Sequence, residues 1–303
     1  MAHAYTPGLK VLHYTKLKKN RRLPIKGEVS KGKGDKVNAD DVIAKTDLPG
    51  NVNMLKVANL LNISPADIHD VLEVKEGDTV NKGDMIAQTD GLFGFFKSDV
   101  RSPISGTIES ISDVTGQIVM REAPIPVEVD AYVEGIVSDV IKDEGVTIES
   151  EAAYIQGIFG IGGESRGDLH VVVNNRDEEI TKDSINSSHA GKIIVGGSFI
   201  SLGAYKKAIE LKVRGVVVGG FNYFDLEDIL GYTLGVAITG TEDLVTSLIV
   251  TEGYGNIKMS ERTFNLLKKH DGKFVSVNGA TQIRAGVIRP EIVIPLDADQ
   301  IPD

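Results

Sequence analysis

Short apolar runs separated by glycine and acidic residues fill most of the first half of the chain, and this pattern predicts small β-units. Helical spacing occurs at Leu55, Ala58 and Leu61, and Ser64-Pro65 can begin a second short helix. We therefore expect a helical insertion over residues 53–71. From 127 to 173, β-like runs alternate with turns and predict a small β-barrel or sheet extension.

After Gly191 the pattern changes to continuous apolar runs separated by helical segments. Such runs favour a mostly parallel sheet with right-handed crossovers. The predicted strands are Ile193–Gly197, Val216–Gly220, Leu234–Gly240 and Ser247–Thr251. Residues 274–295 predict a β-hairpin, with Asn278-Gly279 as its turn signal.

The whole pattern predicts a multidomain protein of the α/β plus β class. Residues 1–125 are expected to form the first domain, which includes the helical insertion. Residues 126–185 are expected to form a small β domain, since Pro124 and Pro126 mark a boundary. Residues 186–303 are expected to form an α/β domain with a C-terminal hairpin.

The first region contains an internal repeat. Residues 33–47 align with residues 76–90 at a constant offset of 43, and nine of the fifteen aligned positions are identical. In each copy a Gly-Asp pair predicts a turn, because glycine tolerates positive φ and aspartate accepts hydrogen bonds from nearby amides. We expect the copies to be related by a pseudo-twofold axis and to share one core, with Ser102–Ile108 closing the second copy.

The string from Val74 to Ala87, followed by Ser102-Pro103-Ile104-Ser105-Gly106, resembles the biotinyl/lipoyl-like barrel-sandwich hybrid superfamily. The resemblance covers residues from about 23 to 121, a third of the chain, and implies the barrel-sandwich hybrid fold. It does not imply an activity, because unmodified members serve as structural inserts in transporters, polymerases and peripheral redox subunits.

Carriers of this superfamily display their modified lysine on an exposed hairpin, eight residues before the proline of the Ser-Pro-x-x-Gly motif. The resemblance puts that position at Phe95, and the nearest lysine, Lys97, lies two positions later. We therefore expect no covalent biotin or lipoate and no other cofactor. The apolar residues around this position either belong to the core of a distorted hairpin or form an exposed patch that docks another subunit. They are Leu92, Phe93, Phe95 and Phe96.

The module also resembles the first domain of peripheral subunits of sodium- or proton-pumping redox complexes. The chain has no cysteine, which excludes disulfides, thiolate nucleophiles and iron–sulfur clusters. It also has no glycine-rich flavin-binding signature of the NADH-dehydrogenase type. Its six histidines lack metal-ligand spacing, so no metal site is expected.

Because the formal net charge is -10, we do not expect general binding to nucleic acid or anionic membranes. The basic run from Lys16 to Arg22 predicts a solvated N-terminal arm, with an acidic partner as the alternative. The N-terminus does not resemble a secretory signal, and no apolar run is long enough to span a bilayer. A cytoplasmic location is the expectation.

The four predicted parallel strands all end in small, hydroxylated or acidic residues. Carboxyl ends of parallel strands line the crevice where ligands bind in open α/β sheets, and glycines there allow close approach. The alternative is that glycines simply end the strands. The candidate ligand-binding residues are Gly196, Gly197, Gly219, Gly220, Thr239, Gly240, Thr241, Glu242, Thr251 and Glu252.

No catalytic set accompanies these residues, because no His, Cys or Ser partner forms a recognisable arrangement with them. The glycine-rich stretch 157–167 does not fit a phosphate-binding loop, since Asp168 leads into another strand instead of a helix.

Three functions follow from these observations. The first is a non-enzymatic binding or scaffold protein that self-associates or joins a larger complex. The second is an enzyme or effector-binding regulator that holds a small molecule in the strand-end crevice of residues 193–253. The third is an atypical carrier modified on Lys97.

Overall fold

The computed structural model describes residues 8–89, 97–230, 244–282 and 288–302. Strand is its main secondary structure, at 44% against 17% helix. The chain divides into two compact units: unit 1 comprises Met1–Arg22, Val29–Ala44 and Val129–Asp303, and unit 2 comprises Leu23–Glu28 and Lys45–Glu128. The division into three domains, with boundaries near 125 and 185, stays a prediction.

The strands of the described residues are β1 (Val11–Arg22), β2 (Glu28–Val29), β3 (Lys36–Val37), β4 (Val42–Leu48), β5 (Val52–Leu55), β6 (Thr79–Val80), β7 (Met85–Gln88), β8 (Asp99–Arg101), β9 (Gly106–Ser112), β10 (Gln117–Arg121), β11 (Ile125–Asp130), β12 (Gly135–Ile141), β13 (Gly145–Gln156), β14 (Phe159–Ile161), β15 (Glu164–Val171), β16 (Glu179–Ile180), β17 (Ile193–Val195), β18 (Phe199–Ile200), β19 (Gly215–Phe221), β20 (Ser247–Tyr254), β21 (Phe274–Asn278) and β22 (Glu291–Pro295). The helices are α1 (Val57–Leu61), α2 (Ile68–Val71), α3 (Leu202–Glu210), α4 (Asp225–Leu230) and α5 (Glu261–Lys269). The described residues also form 3-10 helices at Pro65–Asp67, Lys182–Ser184, Ser187–His189 and Ala298–Gln300.

Unit 2 is built on an antiparallel sheet of order β5-β10-β9-β6 and the hairpin pair β7-β8. The predicted helical insertion begins later than expected, because residues 53–55 belong to β5 and pair with β10. Helix α1 then ends at Asn62 in the left-handed conformation, and Ser64 precedes the 3-10 helix at Pro65. The buried core contains Val57, Leu61, Ile68, Val80, Ile86, Ala87, Val100, Ile108, Ile118 and Met120.

Unit 1 contains a sheet of thirteen described strands, with the main order β14-β20-β19-β17-β15-β21-β22-β13-β12-β3. Strands β15, β17, β19 and β20 are parallel neighbours, as the continuous apolar runs of three of them predict. The predicted strand Leu234–Gly240 lies outside the described residues. The separate C-terminal α/β domain stays a prediction.

Alternate residues of the parallel strands form two cores on opposite faces of this sheet. On one face, Ile194, Val216 and Val218 pack with Ala204, Tyr205 and Ala208 of α3. On the other, Ile193, Val195, Val217 and Ile249 pack with Phe264 and Leu267 of α5. Helices on both faces explain why β17 and β19 carry no polar side chain.

The structure confirms the turn predicted in both repeat copies. Gly34 and Gly77 have φ values of 92° and 90°. A carboxylate oxygen of Asp35 accepts from the Gly32 amide at 2.7 Å, and that of Asp78 accepts from the Lys75 amide at 2.9 Å. Strands β3 and β4 begin 43 residues before β6 and β7, the offset of the sequence repeat.

The prediction of one shared core is wrong for the described residues, because the core of unit 2 contains Val80, Ile86 and Ala87 of the second copy but not the matching Val37, Ile43 and Ala44 of the first. The two copies also pair with different closing strands. In the second copy Gly77 and Asp78 exchange backbone hydrogen bonds with Ile108 of β9, whereas in the first copy Gly34 and Asp35 bond to Val137 of β12. Residues 33–44 of the first copy belong to unit 1, whereas the last three residues of that copy and all of the second copy belong to unit 2. The repeat is therefore nested: the outer copy and its closing strand flank the inner one in sequence.

The basic run is not a solvated arm, since Lys16 to Arg22 lie in β1, which pairs antiparallel with β13. The register places Lys16 opposite Glu151 and Lys18 opposite Glu149, and both pairs form salt bridges of 3.1 and 3.3 Å. Opposite charges across antiparallel strands stabilise the pairing and neutralise the run.

The C-terminal strands β21 and β22 pair antiparallel, as predicted for the hairpin, with Asn278 opposite Glu291. The predicted Asn278-Gly279 turn does not close this pair, because residues 279–290 separate the strands. Instead the Asn278 side chain accepts from the Ala280 amide at 2.9 Å. A Cβ on Gly279 would lie 2.1 Å from the Ile161 carbonyl oxygen, so glycine here permits close packing of two chain segments.

Candidate functional site

The parallel strands bring six of the predicted ligand-binding residues to one end of the sheet. The Gly219 amide donates a hydrogen bond to the Gly197 carbonyl oxygen at 2.9 Å. Gly220 lies opposite Gly253 in the register of β19 and β20. Gly196 directly follows β17, and Thr251 and Glu252 lie in the second half of β20. The other four candidates, Thr239, Gly240, Thr241 and Glu242, lie outside the described residues.

The glycines at these strand ends pack against segments of the protein itself. A Cβ on Gly220 would lie 1.9 Å from the Gly255 carbonyl oxygen, and one on Gly219 would lie 2.1 Å from that of Ile257. A Cβ on Gly197 would lie 2.6 Å from the carbonyl oxygens of Asn175 and Glu178. Two segments, residues 175–180 and 253–259, therefore occupy the space that the absent side chains leave. A ligand role for these glycines stays a prediction.

Glu252 has a structural partner at the same end of the sheet. Its Oε1 accepts from the Ser260 amide at 2.7 Å, and the Thr251 hydroxyl lies 3.3 Å from the same oxygen. Ser260 is the N-cap of α5, where its hydroxyl accepts from the Thr263 amide at 3.2 Å. Glu252 thus fixes the start of α5 against the end of β20.

A buried acidic centre was not predicted from the sequence. Glu291, 8% exposed, accepts hydrogen bonds from Lys19 at 2.5 and 2.7 Å, from Tyr132 at 3.2 Å and from Tyr154 at 3.0 Å. Burial, followed by the nearby Glu291 carboxylate, raises the pKa of both tyrosines, so they remain protonated donors. Lys19 and Glu291 are 272 residues apart in the chain, and no sequence pattern links them.

A second charge network lies next to Tyr132. The guanidinium of Arg21 is 5.3 Å from the Tyr132 ring centroid, 2.6 Å from a Glu164 carboxylate oxygen and 3.1 Å from an Asp130 oxygen. Arg166 in turn pairs with both Asp130 and Asp40. Each guanidinium contacts two carboxylates and Asp130 is shared between them, an arrangement typical of a structural ion network.

The predicted attachment region is described only at its base. Strands β7 and β8 form the expected hairpin pair, with Gln88 opposite Asp99. Lys97 is exposed and precedes β8 by two residues. Leu92, Phe93, Phe95 and Phe96 lie outside the described residues, so both interpretations of this apolar group remain open.

In the described ranges, no group of three or more histidine or acidic side chains could hold a metal ion. No helix in that part of the chain is long and apolar enough to cross a membrane.

Comparison with known families supports the barrel-sandwich assignment. The model of the RnfC barrel sandwich hybrid domain matches residues 68–144. These residues hold the second repeat copy, its closing strand β9, and β12, which closes the first copy. The chain therefore carries a module of the barrel-sandwich hybrid superfamily, as the sequence predicts, and the rest of it is unrecognised. No curated protein and no solved structure matches the chain.

Proposed function

We propose that this protein is a non-enzymatic subunit of a larger assembly, in which an unmodified barrel-sandwich hybrid module makes protein contacts. The match of residues 68–144 to the RnfC barrel sandwich hybrid domain carries the proposal, because a domain of that kind fits a subunit of a complex. Phe95 at the acceptor position supports it, since group transfer on this fold needs a lysine there.

The proposed contact surface is the aromatic tip, defined as Leu92, Phe93, Phe95 and Phe96. Gly91 precedes this segment and Gly94 interrupts it, and glycine is typical of turns. Clustered aromatic residues are typical of the centres of protein interfaces.

Native mass measurement on the tagged full chain, purified from its own cells, tests the proposal. We expect a mass above that of one chain. A whole-number multiple of the chain mass would show self-association, and any other value would show a complex with a different protein. Replacing Phe93, Phe95 and Phe96 together by serine should release the single chain. Val114→Ser is the matched control, because Val114 is an apolar residue of the same unit and is 83% exposed. A wild-type chain that is strictly monomeric, with no co-purifying protein, would contradict the proposal.

The intact mass of the same material tests the absence of a covalent cofactor. We expect the mass of the bare chain, because the only nearby lysine, Lys97, is two positions from the acceptor position. An added lipoyl or biotinyl mass that disappears in Lys97→Arg would instead show that the protein is a carrier.

A further inference from the structure

A polar cavity of about 260 Å³ lies in unit 1 beside the carboxyl end of β15. Residues 170–174, where β15 ends, line it together with the segment that leads to β17. None of these described lining residues carries a carboxylate. The lining side chains that can form hydrogen bonds are His170, Asn174, Ser184, Asn186 and His189.

Two of these side chains form a capping box that uses their acceptor atoms. The Asn186 backbone amide donates to Nδ1 of His189 at 3.3 Å, and the Ser188 amide donates to Oδ1 of Asn186 at 2.9 Å. A backbone N–H can only donate, so Nδ1 of the neutral His189 ring is an acceptor and the ring proton is on Nε2. The atoms left over are donors, Nε2 of His189 and Nδ2 of Asn186, and they make no hydrogen bond within the described residues.

His189 is buried, with 5% of its surface exposed, although it lines the cavity. Burial, followed by the nearby His170 and Lys192, lowers the pKa of His189, so the ring stays neutral at neutral pH and keeps its single N–H. A buried donor without an acceptor is costly. The Nε2 proton would therefore be stabilised by an acceptor in the cavity, which the described residues do not supply.

His170 differs from His189 in the hydrogen bonds that it can form. The two imidazole rings are neighbours, with centroids 5.2 Å apart. Nδ1 of His170 lies 3.4 Å from Oδ1 of Asp271, a carboxylate that also accepts from the Val171 amide at 3.0 Å. The carboxylate favours a proton on Nδ1, which leaves Nε2 of the neutral His170 ring as an acceptor. The histidine pair thus combines one donor with one acceptor.

The charges beside the lining are balanced. Lys192 is close enough to affect the pKa of His189, and Nζ of Lys268 donates to a carbonyl oxygen of the lining at 3.3 Å. The Glu178 carboxylate accepts from a backbone amide of the lining at 2.9 Å. The two lysines offset Glu178 and Asp271, and two unpartnered donors remain in the cavity against one acceptor. An oxyanion is the ligand that complements such donors.

We propose that this cavity binds inorganic phosphate in its monohydrogen form. The oxygens of the ion accept from Nε2 of His189 and Nδ2 of Asn186, and its one O–H donates to Nε2 of His170. Sulfate has the same shape and charge but carries no O–H, and the dianion of a phosphate monoester lacks it too. Two donors and one acceptor therefore favour free phosphate over both. The cavity lies at the carboxyl end of a parallel strand, where small molecules bind in α/β sheets.

Calorimetric titration of the full chain at about pH 8, above the range in which histidines ordinarily titrate, tests this site. We expect saturable binding of sodium phosphate at constant ionic strength. Sulfate and methyl phosphate should bind about tenfold more weakly, the effect of one hydrogen bond to a charged group. Equal binding of sulfate would overturn the proposal, because it would show a general attraction for anions. Tighter binding of methyl phosphate, or no saturable binding of phosphate, would overturn it as well.

Variants locate the site. Asn186→Asp keeps the Oδ1 atom that caps the 3-10 helix but replaces the Nδ2 donor by an anionic oxygen, so phosphate binding should fall about tenfold or more. Asn222→Asp is the matched control, because Oδ1 of Asn222 also accepts from the amide two residues later and lies outside the cavity.

His170→Phe keeps a ring beside His189 and removes the acceptor. In this variant phosphate should bind no better than sulfate, while sulfate binds as it does to the wild type. A retained preference for phosphate in His170→Phe, or equal phosphate binding by Asn186→Asp and Asn222→Asp, would contradict the assignment.

Discussion

Glu291 begins β22 with a carboxylate that is followed by three apolar residues, and it is buried among them. An unpaired charge in such a place would cost several kcal/mol, so its partners decide whether the strand can be buried. Lys19 supplies the opposite charge, and Tyr132 and Tyr154 supply two hydroxyl donors. The three partners come from three different parts of unit 1, and so Glu291 joins them at a single point.

Removing the Glu291 carboxylate should therefore destabilise unit 1. We expect Glu291→Ala to lower the free energy of unfolding by about 3 kcal/mol, since it leaves Lys19 and two buried hydroxyls without their acceptor. Glu291→Gln keeps an oxygen acceptor and should lose less. Urea unfolding followed by tyrosine circular dichroism measures this, because the tyrosines that the structure describes all lie in unit 1 and the chain has no tryptophan.

The control for this prediction is Glu144→Ala, which removes the exposed pair with Arg22 at 3.4 Å. Exposed pairs contribute less than about 1 kcal/mol, so this variant should unfold close to the wild type. Equal stability of Glu291→Ala and Glu144→Ala would show that the buried centre does not hold the unit together.

His270 is a second residue whose burial has a measurable consequence. It lies at the C-terminal end of α5, 2% exposed, and neither ring nitrogen has a hydrogen-bond partner among the described residues. Burial, with smaller effects of Lys269, Lys273 and His13, lowers the pKa of this imidazole below its ordinary value of 6.5. The folded state therefore favours the neutral ring.

The stability of unit 1 should depend on pH through His270. At pH values above 6.5, the ordinary pKa that the ring has in the unfolded chain, His270 is neutral in both states and its titration does not change stability. As the pH falls below 6.5, the unfolded chain takes up the proton first, and the free energy of unfolding falls. His270→Gln removes this titration, so its urea midpoint should fall less than that of the wild type between about pH 7 and about pH 5. Exposed His69→Gln is the control and should follow the wild type. Parallel pH curves for His270→Gln and the wild type would contradict this prediction.

At the scale of the elements, sequence patterns predicted the strands better than they predicted what covers their ends. Continuous apolar runs identified β17, β19 and β20, because a strand buried on both faces lacks the apolar–polar alternation of a half-exposed strand. The pairing of β1 with β13 was missed, because its lysines and arginines suggest solvent, whereas their charges are matched by acids on a strand more than a hundred residues away. The glycines at the strand ends predicted close approach, but a single sequence does not reveal whether a ligand or the chain itself makes it.

A substitution distinguishes tight chain packing from free space at a glycine. Gly220→Ala would put its Cβ 1.9 Å from the Gly255 carbonyl oxygen, and we expect a loss of about 2 kcal/mol or more from the required backbone shift. Gly163→Ala is the matched control, since a Cβ there would have no atom within 4 Å, and it should change stability by less than about 0.5 kcal/mol. Urea midpoints of the two variants measure the difference. A tolerant Gly220→Ala would mean that the segment 253–259 is not seated on β19.

At the scale of the whole molecule, the repeat could be found in the sequence, but its topology could not. The two copies of the Gly-Asp turn are similar enough to align at an offset of 43. Their closing strands β9 and β12 are related instead by a shift of 29, at which Gly106 corresponds to Gly135 and Ile108 to Val137. Those few matching residues are too few to be detected in the sequence, although β9 and β12 make equivalent backbone hydrogen bonds to the two turns. One core for both copies was therefore the natural prediction, and nesting became visible only in the pairing of the strands.

The charge distribution gives the last prediction. The net charge is -10, and the one basic run lies in β1, where Glu151, Glu149 and Glu291 pair with its lysines. Binding to duplex nucleic acid gains its free energy from cations that replace the counterions of the phosphates. We expect no binding to random duplex DNA in a gel-shift titration at physiological salt. Replacing Glu149 and Glu151 by glutamine would free Lys18 and Lys16, and any weak binding that this variant gains should vanish as salt is raised. Salt-sensitive binding by the wild type would show that the paired lysines are available to phosphates after all.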